Sequence, residues 1–274
     1  MYNRTYIINT LSFLLILLPI ALLTGPFLPD LLLSIICIIF IFISIKEKLI
    51  KYYQNNFFYL FLTFNFILLI SSFNSTSIIF SLETSSVYFR FGIFSLAVWF
   101  LIDNNQKLIK LFTITFLFTF ITIICCGYYQ YFYGSNPFGI QPILPNRLTL
   151  LFNDKMYLGG YITRLLPLLI GLIIFTFRLD KKTYLFVSIL LMSSDILIYI
   201  TGERTALGLL FFETLFLIVL ISKFKVLRFI TFIISIIAIS VLTFLPLQIN
   251  ERNINQTIEQ LNLNNESQRL TFFS

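Results

Sequence analysis

Apolar residues along this chain fall in long runs separated by short polar or basic connections. A helix that crosses a bilayer needs about 20 mostly apolar residues. By that measure the pattern predicts nine spans, near 6–24, 27–45, 57–73, 87–102, 109–131, 157–177, 183–201, 205–222 and 228–247. The first lacks a small-residue cleavage pattern, and the turn from Gly25 to Pro29 leads straight into the second. It therefore reads as a retained anchor and not as a signal peptide. Residues 1–247 read as an all-α, polytopic integral membrane bundle, with 248–274 opening a segment beyond it.

Composition sharpens this picture. Hydrophobic residues make up 58% of the 274 and charged residues 11%, against roughly 25% charged in a soluble domain. The mean hydropathy is +0.92. With 34 Phe and 14 Tyr, a water-soluble fold would have too few charges to cover its apolar surface. The chain has no His, which excludes a Ser-His-Asp or Cys-His triad and a His-ligated metal within it. Cys37, Cys125 and Cys126 lie in apolar runs without CxxC spacing and read as small apolar fillers. There is no P-loop, no GxGxxG and no EF-hand loop, so neither a metal nor a cofactor is expected.

The net charge of +7 reflects loops and not a nucleic-acid partner. Arg4, Lys46, Lys48, Lys51, Lys107, Lys110, Arg178, Lys181, Lys182, Lys223, Lys225 and Arg228 all fall in connections on one side of the predicted spans. Cytoplasmic loops attract Lys and Arg, which puts the N-terminus inside. Seven basic residues fall on the other side: Arg90, Arg147, Lys155, Arg164, Arg204, Arg252 and Arg269. Six of these are Arg, whose flat, permanently charged fork matches phosphate or carboxylate oxygens. They suggest an anionic ligand near the external surface, while pairing with Asp or Glu, or snorkelling to headgroups, is the structural alternative.

Three stretches concentrate this chemistry. Before the sixth span, Pro and Gly break any helix until about Asp154, and Asn153 or Asp154 is placed to cap the helix that follows. Gly159 and Gly160 offer small faces for a neighbouring helix. Arg164 lies about two turns inside the span, where an ionisable residue is expected to face the interior or a watery cavity; pairing with Asp195 is one structural explanation. The second stretch is Thr201-Gly202-Glu203-Arg204-Thr205-Ala206, a tight outer turn in which Gly202 permits the reversal. Free N–H groups at the new helix start suit an anion, and Arg204 needs a partner: Glu203, Asp195 or a ligand phosphate. Glu213 lies about 13 Å further along by helical rise, a costly acid inside a span. The third stretch is the tail, where Ile254, Ile258 and Leu261 keep helical spacing and an apolar element begins near Arg269. A chain stopping there predicts a fragment of a longer protein.

At these positions the sequence resembles the O-antigen ligase and O-antigen polymerase superfamily. RLTLLFNDKMYLGGYITRLLPL, from Arg147 to Leu168, is similar to the family's Arg-x-x-G-x-F, Asn/Asp, G-x-Y-L and P-L segment before a central helix. Thr201 to Ala206 is similar to its Ser/Thr-Gly-x-Arg-Ser/Thr/Gly-Ala turn, and Gln268-Arg269-Leu270 to the second essential Arg of its large periplasmic loop. The likeness runs from about residue 145, with the ligase-like C-terminal region from about 200. Position 149 is Thr where the family has Gly, and the family's catalytic His and final spans have no counterpart here.

The resemblance implies a GT-C-like bundle in the bacterial inner membrane that performs metal-independent glycosyl transfer at its periplasmic face. The donor would be a glycan on undecaprenyl diphosphate. The acceptor would be lipid A–core for a ligase, or another lipid-linked repeat for a polymerase. Arg204 and Arg269 would be catalytic, neutralising the leaving diphosphate. Arg147, Asp154, Arg164 and Glu203 would bind the diphosphate or glycan. The family's His would be the general base, with Glu203 a possible helper. A different reading takes the charges inside spans, Arg164, Asp195 and Glu213, as the lining of a transporter or flippase pathway for a lipid-linked or anionic solute. A silent scaffold subunit is the third.

Overall fold

The computed structural model describes residues 2–137, 139, 148, 158–221 and 224–244, with 2, 3 and 242–244 by backbone alone. Every regular element among them is helical: α1 (Tyr2–Ala21), α2 (Phe27–Glu47), a 3₁₀ turn (Ile50–Tyr52), α3 (Asn56–Ser72), α4 (Ile78–Tyr88), α5 (Arg90–Asn104), α6 (Lys107–Tyr133), α7 (Leu158–Thr176), α8 (Lys181–Thr201), α9 (Arg204–Leu220) and α10 (Lys225–Phe244). Six helical stretches among the described residues are long and apolar enough to cross a membrane: Arg4–Ala21, Phe27–Glu47, Ile78–Asn104, Lys107–Tyr133, Leu158–Thr176 and Lys181–Thr201. Asn56–Ser72 is apolar but shorter, at 17 residues.

Six of the nine expected spans thus have a helix long and apolar enough among the described residues, and one of the six differs in extent from the sequence reading. The span expected at 87–102 begins nine residues earlier, because α4 runs into α5 through Phe89, whose angles stay helical (φ −54°, ψ −28°). The Ser- and Thr-rich stretch of α4 hides this extension. Its hydroxyls fold back onto the helix itself, Thr84 donating to the Phe80 carbonyl (2.9 Å) and Ser86 to that of Glu83 (3.0 Å). Their polarity is thereby satisfied locally.

The chain divides into two compact units, Met1–Phe116 and Leu117–Ser274. In the first, Leu11 and Leu15 of α1, Ile36, Phe40 and Ile43 of α2, and Leu96, Ala97 and Phe100 of α5 repeat at three- and four-residue spacing and form one core. Tyr52 closes it edge-on against Phe100 (5.7 Å between ring centroids) and donates its hydroxyl to Asp103. One end of this unit carries the pairs Arg4–Glu47 (3.2 Å) and Lys51–Asp103 (3.6 Å). The other end carries Arg90–Asp30 at 2.7 Å. Arg90 thus belongs to the structural alternative, an Arg held by an acid.

In the second unit, α7 buries Leu158, Gly159, Ile162, Thr163, Leu166, Leu169, Ile170 and Ile173, a helical stripe that packs on α8 and α9. Asp180 starts α8, its carboxylate accepting the Thr183 N–H (2.8 Å). This bond lowers the Asp180 pKa below the usual carboxylate range. A lowered folded-state value means the cap is fully formed above the ordinary Asp pKa and is lost as pH falls through the lowered one. The protection factor of the Thr183 amide, the intrinsic exchange rate divided by the observed one at the same pH, is therefore expected to fall on acidification below the ordinary Asp range. In an Asp180→Asn variant it should not change over that range.

Candidate functional site

Two arrangements in the second unit bring polar chemistry together. The first is built on the turn from α8 to α9. Gly202 sits at φ +67°, in the left-handed region, and its N–H returns to the Tyr199 carbonyl (3.1 Å). Gly is suited to that conformation because a Cβ would meet its own backbone. Thr201 Oγ1, inside the turn, donates to the Ile198 carbonyl at 2.7 Å.

Glu203 follows in extended conformation (φ −87°, ψ 104°), and its side chain does not cap its own helix. It crosses to α7 instead. Oε1 accepts the Gly159 N–H at 2.8 Å and Oε2 the Gly160 N–H at 2.9 Å. Amides in a first helical turn have no partner within their helix, and a carboxylate there also meets the positive end of the helix dipole. The sequence reading placed an anion at the start of α9; at the start of α7 the anion is a carboxylate of the chain itself.

Gly159 allows the approach. A Cβ built there would lie 2.7 Å from Thr201 Oγ1, 2.9 Å from Ala206 Cβ and 3.2 Å from Glu203 Cδ. The small face expected at this position is thus occupied by the turn. The N-termini of α7 and α9 consequently stand side by side, tied by one carboxylate.

Arg204 is the first residue of α9 and is exposed at this end. Arg164, expected to face the interior or a watery cavity, is exposed and so does not face the interior. It stands two residues from both Ile162 and Leu166 on α7, about 200° round the helix from each. Its face continues through Leu168 (51% exposed) and Phe175 (74% exposed). A long cationic side chain two turns from a helix end can run along such a face toward the polar boundary. Arg147, Asp154 and Arg269 lie outside the described residues.

The second arrangement lies in α8, α9 and α10. Asp195 is fully buried and pairs with Arg228, which is 1% exposed. Nη1 donates to Oδ2 at 2.8 Å and Nη2 to Oδ1 at 3.1 Å, while Nη2 also donates to Thr214 Oγ1. This corrects the suggested Asp195–Arg164 pair and removes Asp195 as a partner for Arg204. It also moves Arg228 out of the loop charges, where sequence placed it. A signal was present, since a buried acid needs a donor and a bidentate one is best supplied by Arg, whereas most nearby loop cations are Lys. Glu213, read from the sequence as a costly acid, is buried at 7% exposure, and both its carboxylate oxygens lack a hydrogen-bond partner.

No family model, no curated protein and no solved structure matches the chain.

Proposed function

We propose that the protein is a membrane glycosyltransferase of the O-antigen ligase type, working without metal at the periplasmic face of the bacterial inner membrane. Its nine-span, GT-C-like topology has the N-terminus in the cytoplasm. It moves a glycan from undecaprenyl diphosphate to a lipid A–core or related acceptor; joining of lipid-linked repeats is the polymerase form of the same chemistry.

The observation that carries this reading is the end of the second unit where α7 and α9 begin together. Arg204 is exposed there, beside a turn that Glu203 fastens to Gly159 and Gly160. Arg164 stands exposed about 9 Å along α7 from its start. Charge that builds on a departing diphosphate needs donors already in place, because reorganising them during the reaction would cost the energy they supply. An arginine at the end of a fastened turn supports that reading. Arg269 supplies the second catalytic charge in this reading, with Arg147 and Asp154 on the glycan and diphosphate. Glu203 acts mainly by holding the turn, since its two oxygens already accept two amide protons.

In cells, Arg204→Lys and Arg269→Lys are expected to abolish glycan attachment while leaving membrane insertion intact. Lys keeps the charge but loses the bidentate fork. Normal surface glycan in both variants overturns the assignment. Membrane-impermeant thiol labelling of cysteines placed at 147 and 204 tests the sidedness, and protection of both from the outside would exclude a periplasmic site.

The buried charges of α8–α10 favour a second reading, a transporter or flippase for a lipid-linked or anionic solute. Movement of such a lipid across proteoliposomes that hold no acceptor separates the two.

A further inference from the structure

The buried cluster in α8–α10 does not balance its charge. Asp195 and Glu213 contribute two carboxylates, and Arg228 one guanidinium. Both oxygens of Asp195 are engaged by Arg228, whose Nη2 also reaches Thr214 and whose buried Nε has no partner, so no guanidinium hydrogen bond reaches Glu213. Glu213 lies close enough for its carboxyl to interact electrostatically with both Arg228 and Asp195, yet neither of its oxygens accepts a hydrogen bond.

Among the described residues, no cation besides Arg228 is buried. The buried residues of α9 besides Glu213 are Ala206, Leu210, Thr214 and Leu217. The buried stripe of α7 carries no ionisable side chain. From α6, Tyr128 gives its hydroxyl proton to the Ser193 carbonyl at 2.8 Å. An isolated ionised carboxylate in such an interior is too costly to stand uncompensated.

We propose that Glu213 binds a monovalent cation, a proton or Na⁺, which neutralises the cluster beside the Asp195–Arg228 pair. The site does not rest on either reading of function given above. A proton needs only one carboxylate oxygen, whereas Na⁺ would draw on both Glu213 oxygens and the neighbouring Thr214 hydroxyl.

The test uses the full chain in lipid nanodiscs. In the proton case, infrared spectra at neutral pH show the carbonyl stretch of a protonated carboxylic acid, moved by deuterium exchange and lost by one equivalent in Glu213→Gln. In the Na⁺ case that band is missing. Replacing choline by Na⁺ at constant ionic strength then raises the thermal midpoint to a plateau, and Glu213→Gln abolishes the rise. Should the Gln variant fail to fold, Glu213→Leu takes its place, since it too removes the charge. Either result supports the site and identifies its cation. A wild-type chain with neither the acid band nor a Na⁺-dependent midpoint overturns it.

Discussion

Arg228→Leu is expected to destabilise the folded chain by about 3–5 kcal/mol, the usual consequence of stranding one member of a buried ion pair. The size follows from what is left behind. Asp195 has no exposure, and Arg228 supplies both of the donors to its oxygens described above. Removing the guanidinium also takes the Nη2 donor from Thr214. Arg228→Lys should recover only part of the loss, because one ammonium cannot span two oxygens and the threonine with the same geometry. The double replacement Asp195→Leu with Arg228→Leu removes both charges, and apolar packing can then restore most of the stability. Unfolding in mixed micelles, followed by tryptophan fluorescence or circular dichroism, measures all four proteins. A single variant that loses less than about 1 kcal/mol would mean the pair behaves like an exposed one.

The second large effect is expected where α7 meets the turn. Glu203→Ala removes two hydrogen bonds in which the acceptor is charged. Each contributes about 1.5–3 kcal/mol when buried, and since Glu203 is only half-buried a total of about 2–4 kcal/mol is expected. Glu203→Gln keeps one amide oxygen as acceptor and should fall between. Gly159→Ala attacks the same joint sterically, since its Cβ would stand 2.7 Å from Thr201 Oγ1, with a cost of about 1–3 kcal/mol. The two changes share one contact, so their effects should not add. Hydrogen exchange at the Gly159 and Gly160 amides gives the local readout. Unchanged protection there in Glu203→Ala would show that the carboxylate is not what holds these amides.

These effects mark what was legible in the sequence and what was not. Helices were legible because a spanning helix must be apolar nearly throughout, and the runs leave little room for another element. Gly202 was legible for a local reason, its turn, and Gly159 only as a small face, since the turn that fills it lies more than forty residues away. Partnership was not legible. Asp195 and Arg228 are 33 residues apart in the chain, and which helices become neighbours depends on packing that no local pattern records. The direction of Arg164 was lost likewise. Its depth was readable, but the burying face of α7 is chosen by α8 and α9. The extension of that span through α4 was hidden for a different reason: the hydroxyls of α4 look like loop chemistry in one dimension, and helical back-bonding conceals them in three.

The distance in sequence between Asp195 and Arg228 also bears on how the chain is made. A ribosome adding roughly 5–20 residues per second delivers α8 to the insertion machinery seconds before the guanidinium exists. A lone aspartate at the middle of a helix opposes partitioning into lipid by about 2.5–3.5 kcal/mol. Helix α8 therefore has reason to linger at the translocon until Arg228 has emerged.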